Sequence, residues 1–507
     1  MLDIKLSGYN VDADVLKDMA AQGNQRNDIT PEILSASYAR IIRDPRPVNE
    51  LRIAARKEVE KARKSNKAII FKMGHHSVAE HAVFNFDVMG ISRFALEELE
   101  KFRLCSFTEK SQRYINLEDN FVVPEEIQNT SVEKKFRAIA HKQFALYERL
   151  FQNLKKYVFD KNPDLAKDPK NQSVLEGWAK EDARYITPLA AEAQLGMTMN
   201  ARNLELILRR FASNPLKEVQ SAGQKFYSEV ALIAPSIILF HKANDFDQHT
   251  CTRLKSYIDG NAAFPASSNT SAPVQNVMRV SHTPQADEMV LSALIQTVSD
   301  MSFNDIQMLV HNLGEEEKKS LFKEALAYLE FYDTLPREFE HASIMYQLIV
   351  SAACFGQLKR HRMATITSHT YDPKWGVVIP ETIKKIGFEQ EFVILIEETN
   401  AFYKDLYLEA PLIAPYILTN AHQKKLLITV NARELYHMSR LREDSHAQWD
   451  IRRMTAEMVA QAKEVMPLTM LLVGGKDSFM EIYKTVYGAY PKISPPETTI
   501  KNKTEVS

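Results

Sequence analysis

The sequence predicts an α+β protein built as two tandem repeats, each a mixed sheet with long helices. Three observations lead there: segments that recur in one order, a strand-period apolar pattern that runs into a helical one, and a low-charge stretch near the middle of the chain. "EHAVFNFDV" from Glu80 returns as "EHASIMYQL" from Glu340, and "TMNARNLELILRR" from Thr198 returns as "TVNARELYHMSRLR" from Thr429. "IAPSIILFHKANDF" from Ile233 parallels "VMPLTMLLVGGKDSF" from Val465. The Asn of NAR precedes the shared proline by 35 residues in one half (200 to 235) and 36 in the other (431 to 467). Three landmarks in one order at near-equal spacing mark a tandem duplication.

The stretch "GNAAFPASSNTSAPVQ", 260–275, is rich in Ser, Asn, Ala and Pro and nearly uncharged, the composition of a linker. The expected division is a first repeat at 1–259, the linker, a second repeat at 276–490 and a polar, disordered tail at 491–507. Ala82, Phe84, Phe86 and Val88 alternate with polar residues as in a half-buried strand. Gly90 is expected to break it, after which Ile91, Ala95, Leu99 and Phe102 follow at helical spacing. The second repeat restates this plan: the apolar run Ala342–Phe355 ends in Arg360, His361 and Arg362 at a helix tip. Ala447, Ile451, Met454, Met458 and Val465 form one stripe of a long C-terminal helix.

Bulk composition excludes several classes. With 45% hydrophobic residues, 25% charged residues and a net charge of −1, there is no electrostatic case for nucleic acid or a membrane surface. Apolar runs such as "VALIAPSIILF" are too short to span a bilayer, and no signal-peptide pattern opens the chain, so a cytoplasmic protein is expected. Cys105, Cys251 and Cys354 are odd in number and dispersed without a CxxC pair, which argues against disulfides and zinc. His75, His76 and His81 lack a completing carboxylate set, so no metal is expected. "GGKD" at 474–477 lacks phosphate-loop spacing and reads as a helix-ending turn.

A basic helix tip has an ordinary explanation in the helix dipole, and taken singly Arg433 and Arg442 read as surface charges and Ser111 as a loop hydroxyl. Their joint pattern says more. "RHRMATITSHTYD" in the second repeat and "KFRLCSFTEKSQR" in the first both resemble the signature of the flavin-dependent thymidylate synthases, Arg-His-Arg followed by Ser-x-Arg. "GHHSVAEH" at 74–81, "ARYITP" at 183–188 and "NARELYHMSRLREDSHAQWDIR" at 431–452 resemble further segments of that family. The losses are complementary. The first repeat keeps Glu109, Ser111, Arg113 and Arg184 but has Lys101 and Phe102 where Arg and His belong. The second keeps Gln357, Arg360, His361, Arg362, Arg442 and His446 but has Thr370, Asp372 and Pro415 in the other positions. His75 and Ser77 are answered by Leu335 and Arg337, and Arg210 is expected as the first repeat's weakened counterpart of Arg442.

In that family, neighbouring subunits build each active site. The resemblance therefore implies one composite site between the repeats and a degenerate reciprocal one. It implies dUMP held by Gln357, Arg360, Glu109, Arg113 and Arg184, with Ser111 and Arg442 as catalytic groups. The same resemblance implies FAD held by His75, Ser77, Glu80, His361, Arg362, Asn431, Arg433, His437 and His446. Methylenetetrahydrofolate and NADPH would be co-substrates, and the chain a homodimer mimicking a tetramer. Guanidinium groups suit a nucleotide monophosphate, which takes bidentate donors. Two other readings stay open: a different C5 modification of a pyrimidine nucleotide, such as hydroxymethylation, and a non-catalytic nucleotide-binding pseudoenzyme.

Overall fold

A computed structural model of the chain describes residues 1–16, 29–41, 44–261 and 275–493. Most of the expected linker and tail fall outside the described residues. The first repeat holds strands β1 (Asp3–Tyr9), β2 (Val83–Ser92), β3 (Cys105–Glu109) and β4 (Glu192–Asn200); the second holds β5 (Val277–His282), β6 (Ser343–Ser351), β7 (Thr365–Ser368) and β8 (Gln423–Asn431). Each set forms a four-stranded sheet, in the orders β1-β2-β4-β3 and β5-β6-β8-β7. Every pairing is antiparallel, where a mixed sheet is expected. Strand periodicity reports the faces of a strand but not its direction beside a neighbour, so the sequence pattern could not decide this.

The helices that position the site are α1 (Arg93–Leu99), α2 (Ser131–Lys161), α3 (Gln172–Ala183), α4 (Ala201–Ala212), α5 (Ala352–Leu358), α6 (Glu389–Glu409), α7 (Ala432–Arg442) and α8 (Trp449–Val465). The alternating residues Ala82, Phe84, Phe86 and Val88 are buried as expected. Gly90 does not end β2. It sits at a register shift between Met89 and Ile91 with φ +67°, and a Cβ there would lie 2.4 Å from the Met1 carbonyl oxygen. The glycine is a β-bulge that lets the strand continue to Ser92. Ser92 Oγ then accepts from Ala95 N at 3.0 Å, and Ser351 Oγ accepts from Cys354 N at 3.0 Å, so the same serine cap starts α1 and α5. In α8, Ile451, Met454 and Met458 are buried as the stripe predicts, whereas Ala447 precedes the helix.

The second repeat has an apolar core of its own; the core of the first also takes in Tyr371, Phe402 and Tyr416 of the second, and a further cluster spans both, with Tyr147, Leu150, Tyr185 and Ile186 against Ala353, Phe392 and Ala421. The long helices α2 and α6 meet there; Gln143 donates to Thr399 Oγ1 and the Ile417 carbonyl, both at 3.0 Å. Segments 185–190 and 416–421 cross antiparallel. Leu189 N donates to Leu418 O (2.7 Å) and Asn420 N to Thr187 O (2.9 Å); Ala190 N donates to Tyr416 O and Ala421 N to Tyr185 O (both 2.8 Å). By the common register of β4 and β8, Tyr185 corresponds to Tyr416, and each bond is the image of another. The repeats are thus related by an approximate twofold axis.

Candidate active site between the repeats

The Arg-His-Arg tip follows α5 directly and is clasped by the first repeat. Arg360 Nη2 donates to Glu109 Oε2 at 2.9 Å, and Arg362 donates to the carbonyls of Arg103 (3.1 Å) and Cys105. In return, Arg103 donates to Ala364 O (3.1 Å) and Thr365 Oγ1 (2.9 Å). His361 points inward. Its Nε2 accepts from Arg442 Nε at 2.9 Å, while Nδ1 lies 3.3 Å from Glu434 Oε1. That arrangement fits a neutral imidazole with its proton on Nδ1, and burial lowers its pKa further. Arg442 also reaches the Gln357 carbonyl at 3.2 Å. Burial first, then Arg360 and Arg113, pull its pKa down to about 10, so guanidinium groups of both repeats share this space.

The first repeat supplies the opposite wall. Ser111 Oγ accepts from Arg113 N (3.2 Å), and Arg113 pairs with Glu181 on α3 at 2.6 Å. Arg184 follows α3; its Nε donates to Glu181 O at 3.4 Å, while its buried Nη2 has no partner. Burial, followed by the charges of Arg93 and Arg113, lowers the Arg184 pKa to about 10. Gln112 Nε2 and Gln357 Oε1 are likewise buried without partners. Unpaired buried polar atoms of this kind are costly unless a partner meets them.

Residues that the sequence reading passed over hold these walls together. Asn420 accepts from Arg93 Nε (2.9 Å) and donates to Arg184 O (3.1 Å) and Thr187 Oγ1 (2.9 Å). Gln448 donates to Tyr185 Oη (2.7 Å) and accepts from Gln357 Nε2 (3.3 Å). Gln448 lies inside the recognised segment 431–452; Arg93 and Asn420 carry no local signal because their partners belong to the other repeat. The GGKD stretch does not end a helix: it precedes the last one, Phe479–Tyr487, and braces the loop after Arg442. There Lys476 N donates to Arg440 O (3.3 Å) and Asp477 accepts from Ser445 N (2.9 Å).

The structure brings Glu109, Ser111, Arg113 and Arg184 together with Gln357, Arg360, His361 and Arg442, and His437 stacks edge-on to His361 at 5.8 Å. Other candidates lie elsewhere or are engaged. Glu80 pairs with Arg202 of its own repeat (2.5 Å), and exposed His75 and Ser77 lie on that same turn. Arg433 pairs with Glu340 (2.9 Å), Asn431 caps α7, and exposed His446 sits on Asp444 (2.7 Å). The residues expected for the flavin are therefore divided between two places in the chain.

At the reciprocal position other residue types stand. The register of β4 and β8 carries through α4 and α7, so the counterpart of Arg442 is Phe211 and not Arg210. Arg210 instead faces Asp247 at 3.5 Å. The one-residue difference between the repeats falls after these helices, which is why counting toward the shared proline misassigned it. Phe102 and Phe211 meet edge-on at 6.2 Å where their counterparts His361 and Arg442 share a hydrogen bond. A cleft of about 740 Å³ opens beside them.

Together these features define a two-repeat α+β protein with a candidate site at its internal interface. The family model for the "thymidylate synthase complementing protein" matches residues 27–236 and again 279–468. The chain belongs to this family, the flavin-dependent thymidylate synthases, as a tandem duplication. It is 30% identical over 217 residues to the flavin-dependent thymidylate synthase of Clostridium tetani, covering 41% of this chain and 82% of that one. For the Pyrococcus furiosus enzyme of the same name, the identity is 30% over 169 residues, covering 32% and 60%. A UPF0159 protein of Chlamydia muridarum matches over both repeats, 23% identical across 427 residues, 80% of this chain and 79% of its own. Among solved structures, thymidylate synthase X of Helicobacter pylori with FAD and dUMP is similar at 18% identity and a TM-score of 0.28, covering 45% of this chain and 92% of that chain. Among the described residues, no helix is long and apolar enough to cross a membrane.

Proposed function

We propose that this chain methylates dUMP to dTMP at the single composite site between repeat 1–259 and repeat 276–490. The observation that carries the reading is Arg113 of one repeat, whose charge acts both on Arg184 beside it, with its buried unpartnered Nη2, and on Arg442 of the other repeat, which Arg360 also faces. A nucleotide phosphate fits that vacant donor and the flanking guanidinium groups. Arg442, braced by His361, faces the uracil N3/O2 edge and favours its ionised form, placing electron density on C5. Ser111 and Gln357 hydrogen-bond the nucleotide, and Glu109 orients Arg360. His361 and His437 form one border of the flavin pocket. Methylenetetrahydrofolate is the carbon donor, and FAD, kept reduced by NADPH, supplies the reducing equivalents when bound. The division of the remaining flavin residues, His75, Ser77 and Glu80 against Asn431, Arg433 and His446, supports a homodimer in which a second chain completes the pocket.

The test exploits the duplication. Ser111→Ala abolishes tritium release from 5-tritiated dUMP, while Thr370→Ala, the same change at the corresponding place, leaves it near wild type. Equal losses overturn the division of labour. Purified protein that is colourless and takes up no added FAD favours the pseudoenzyme.

A further inference from the structure

Beside the site, two buried ion pairs cross between the repeats. Glu97 Oε2 meets Lys424 Nζ at 2.8 Å, and the Glu100 carboxylate meets Lys359 Nζ; all four side chains are only 4–5% exposed. Lys424 also lies on the rings of Phe355 and Tyr371, 3.3 and 4.4 Å from their centroids. The charge of Lys359 reaches Glu97 and Glu109 too, and with Lys424, Arg93 and Arg360 it holds both carboxyls below their ordinary pKa despite burial. The three buried carboxylates all belong to the first repeat, and Lys359, Lys424 and Arg360 to the second.

The internal symmetry gives these pairs a meaning beyond local stability. Glu100 and Lys359 each stand eight residues past their capping serines, Ser92 and Ser351, so they are counterparts. A residue that touches its own counterpart lies on the twofold axis. Were two first repeats to associate in this geometry, Glu100 would face Glu100; two second repeats would oppose Lys359 to Lys359. The other pair fails as well. Lys424 corresponds to Ala193 and Glu97 to Gly356, so a like pairing buries Glu97 against an alanine or Lys424 against a glycine. A buried ion pair adds little net stability over an apolar contact, but an unpaired or like-charged buried group is strongly unfavourable. Such a contact is better suited to choosing a partner than to strengthening the fold.

We propose that Glu100–Lys359, reinforced by Glu97–Lys424, is a charge key that permits only unlike repeats to pair. Its partner is the opposite repeat, from the same chain or from another copy. The full chain carrying a protease site within 262–274 is folded, cut, unfolded in urea and refolded, and native mass spectrometry counts the pairs. Like pairs are depleted about tenfold or more relative to a statistical mixture, since each factor of ten needs only a small part of the cost of breaking a buried pair. In Glu100→Gln/Lys359→Gln, like pairs rise toward the statistical share. A statistical mixture from the unmodified interface overturns the proposal. The uncut chain gives an independent reading by urea unfolding. Glu100→Lys and Lys359→Glu each lower the midpoint, and the double exchange recovers the part of the loss that belongs to the Glu100–Lys359 contact, while the part from a carboxylate at 359 facing Glu97 and Glu109 remains. A double exchange as unstable as the two losses combined also overturns it.

Discussion

His422 shows how one side chain can be committed by its surroundings. It is fully buried; its Nδ1 accepts from Thr419 N (2.9 Å), and Nε2 lies 2.8 Å from Asn400 Oδ1, which requires the neutral ring with its proton on Nε2. Burial drives its pKa down to about 3. Between that value and its ordinary pKa, the unfolded chain binds a proton that the folded chain refuses. Its stabilising contribution is therefore complete above the ordinary histidine range and is lost as pH falls toward about 3, at up to about 1.4 kcal/mol per pH unit. Urea unfolding between pH 7 and 4 tests this: His422→Asn flattens the decline, and an unchanged slope refutes the assignment. At this scale the sequence spoke unevenly. Arg360, His361 and Arg442 stood out because several residues matched a pattern together, whereas His422 is fixed by a local turn and Asn400 that form no motif, and Asn420 takes its role from the other repeat.

Among the elements, α5 is the most tightly specified. Its Gly356 faces Arg93, whose Nη2 would lie 2.1 Å from a Cβ at that position. Arg93 in turn donates to Ala352 O (3.0 Å) and pairs with Glu109 (3.3 Å). Gly356→Ala therefore moves Arg93 and loosens Glu109 beneath Arg360, and we expect an overpacking cost of about 1–3 kcal/mol in urea unfolding. Wild-type stability would show that Arg93 can vacate its seat freely. The strand-then-helix plan of each repeat was legible because apolar periodicity switches where the capping serines stand. What escaped was relational: Gly90 as a bulge needs knowledge of Met1 opposite, and strand direction needs knowledge of the neighbour. The equivalence of Phe211 with Arg442 needed the helix register, which landmarks on the far side of an insertion obscured.

Across the whole molecule, the asymmetry between the two interfacial sites predicts stoichiometry. The composite site offers unpartnered donors, while its reciprocal presents Asp372, Pro415 and Phe211 where Arg113, Arg184 and Arg442 stand, with Lys424 already paired to Glu97. Calorimetric titration of the FAD-loaded protein is expected to give one dUMP per chain, and two equal sites would contradict the reading. The existence of two repeats and their complementary losses could be read from sequence alone; the axis between them could not, because no periodicity encodes which residues meet across an interface. That axis bears on how such a chain can change over generations. In an assembly of identical subunits, one codon writes both sides of every contact at the axis, so a glutamate there can only face another glutamate. Once the gene is duplicated in frame, each side has its own codon. Glu100 beside Lys359 at the axis is a contact that two copies of a single repeat could not have made.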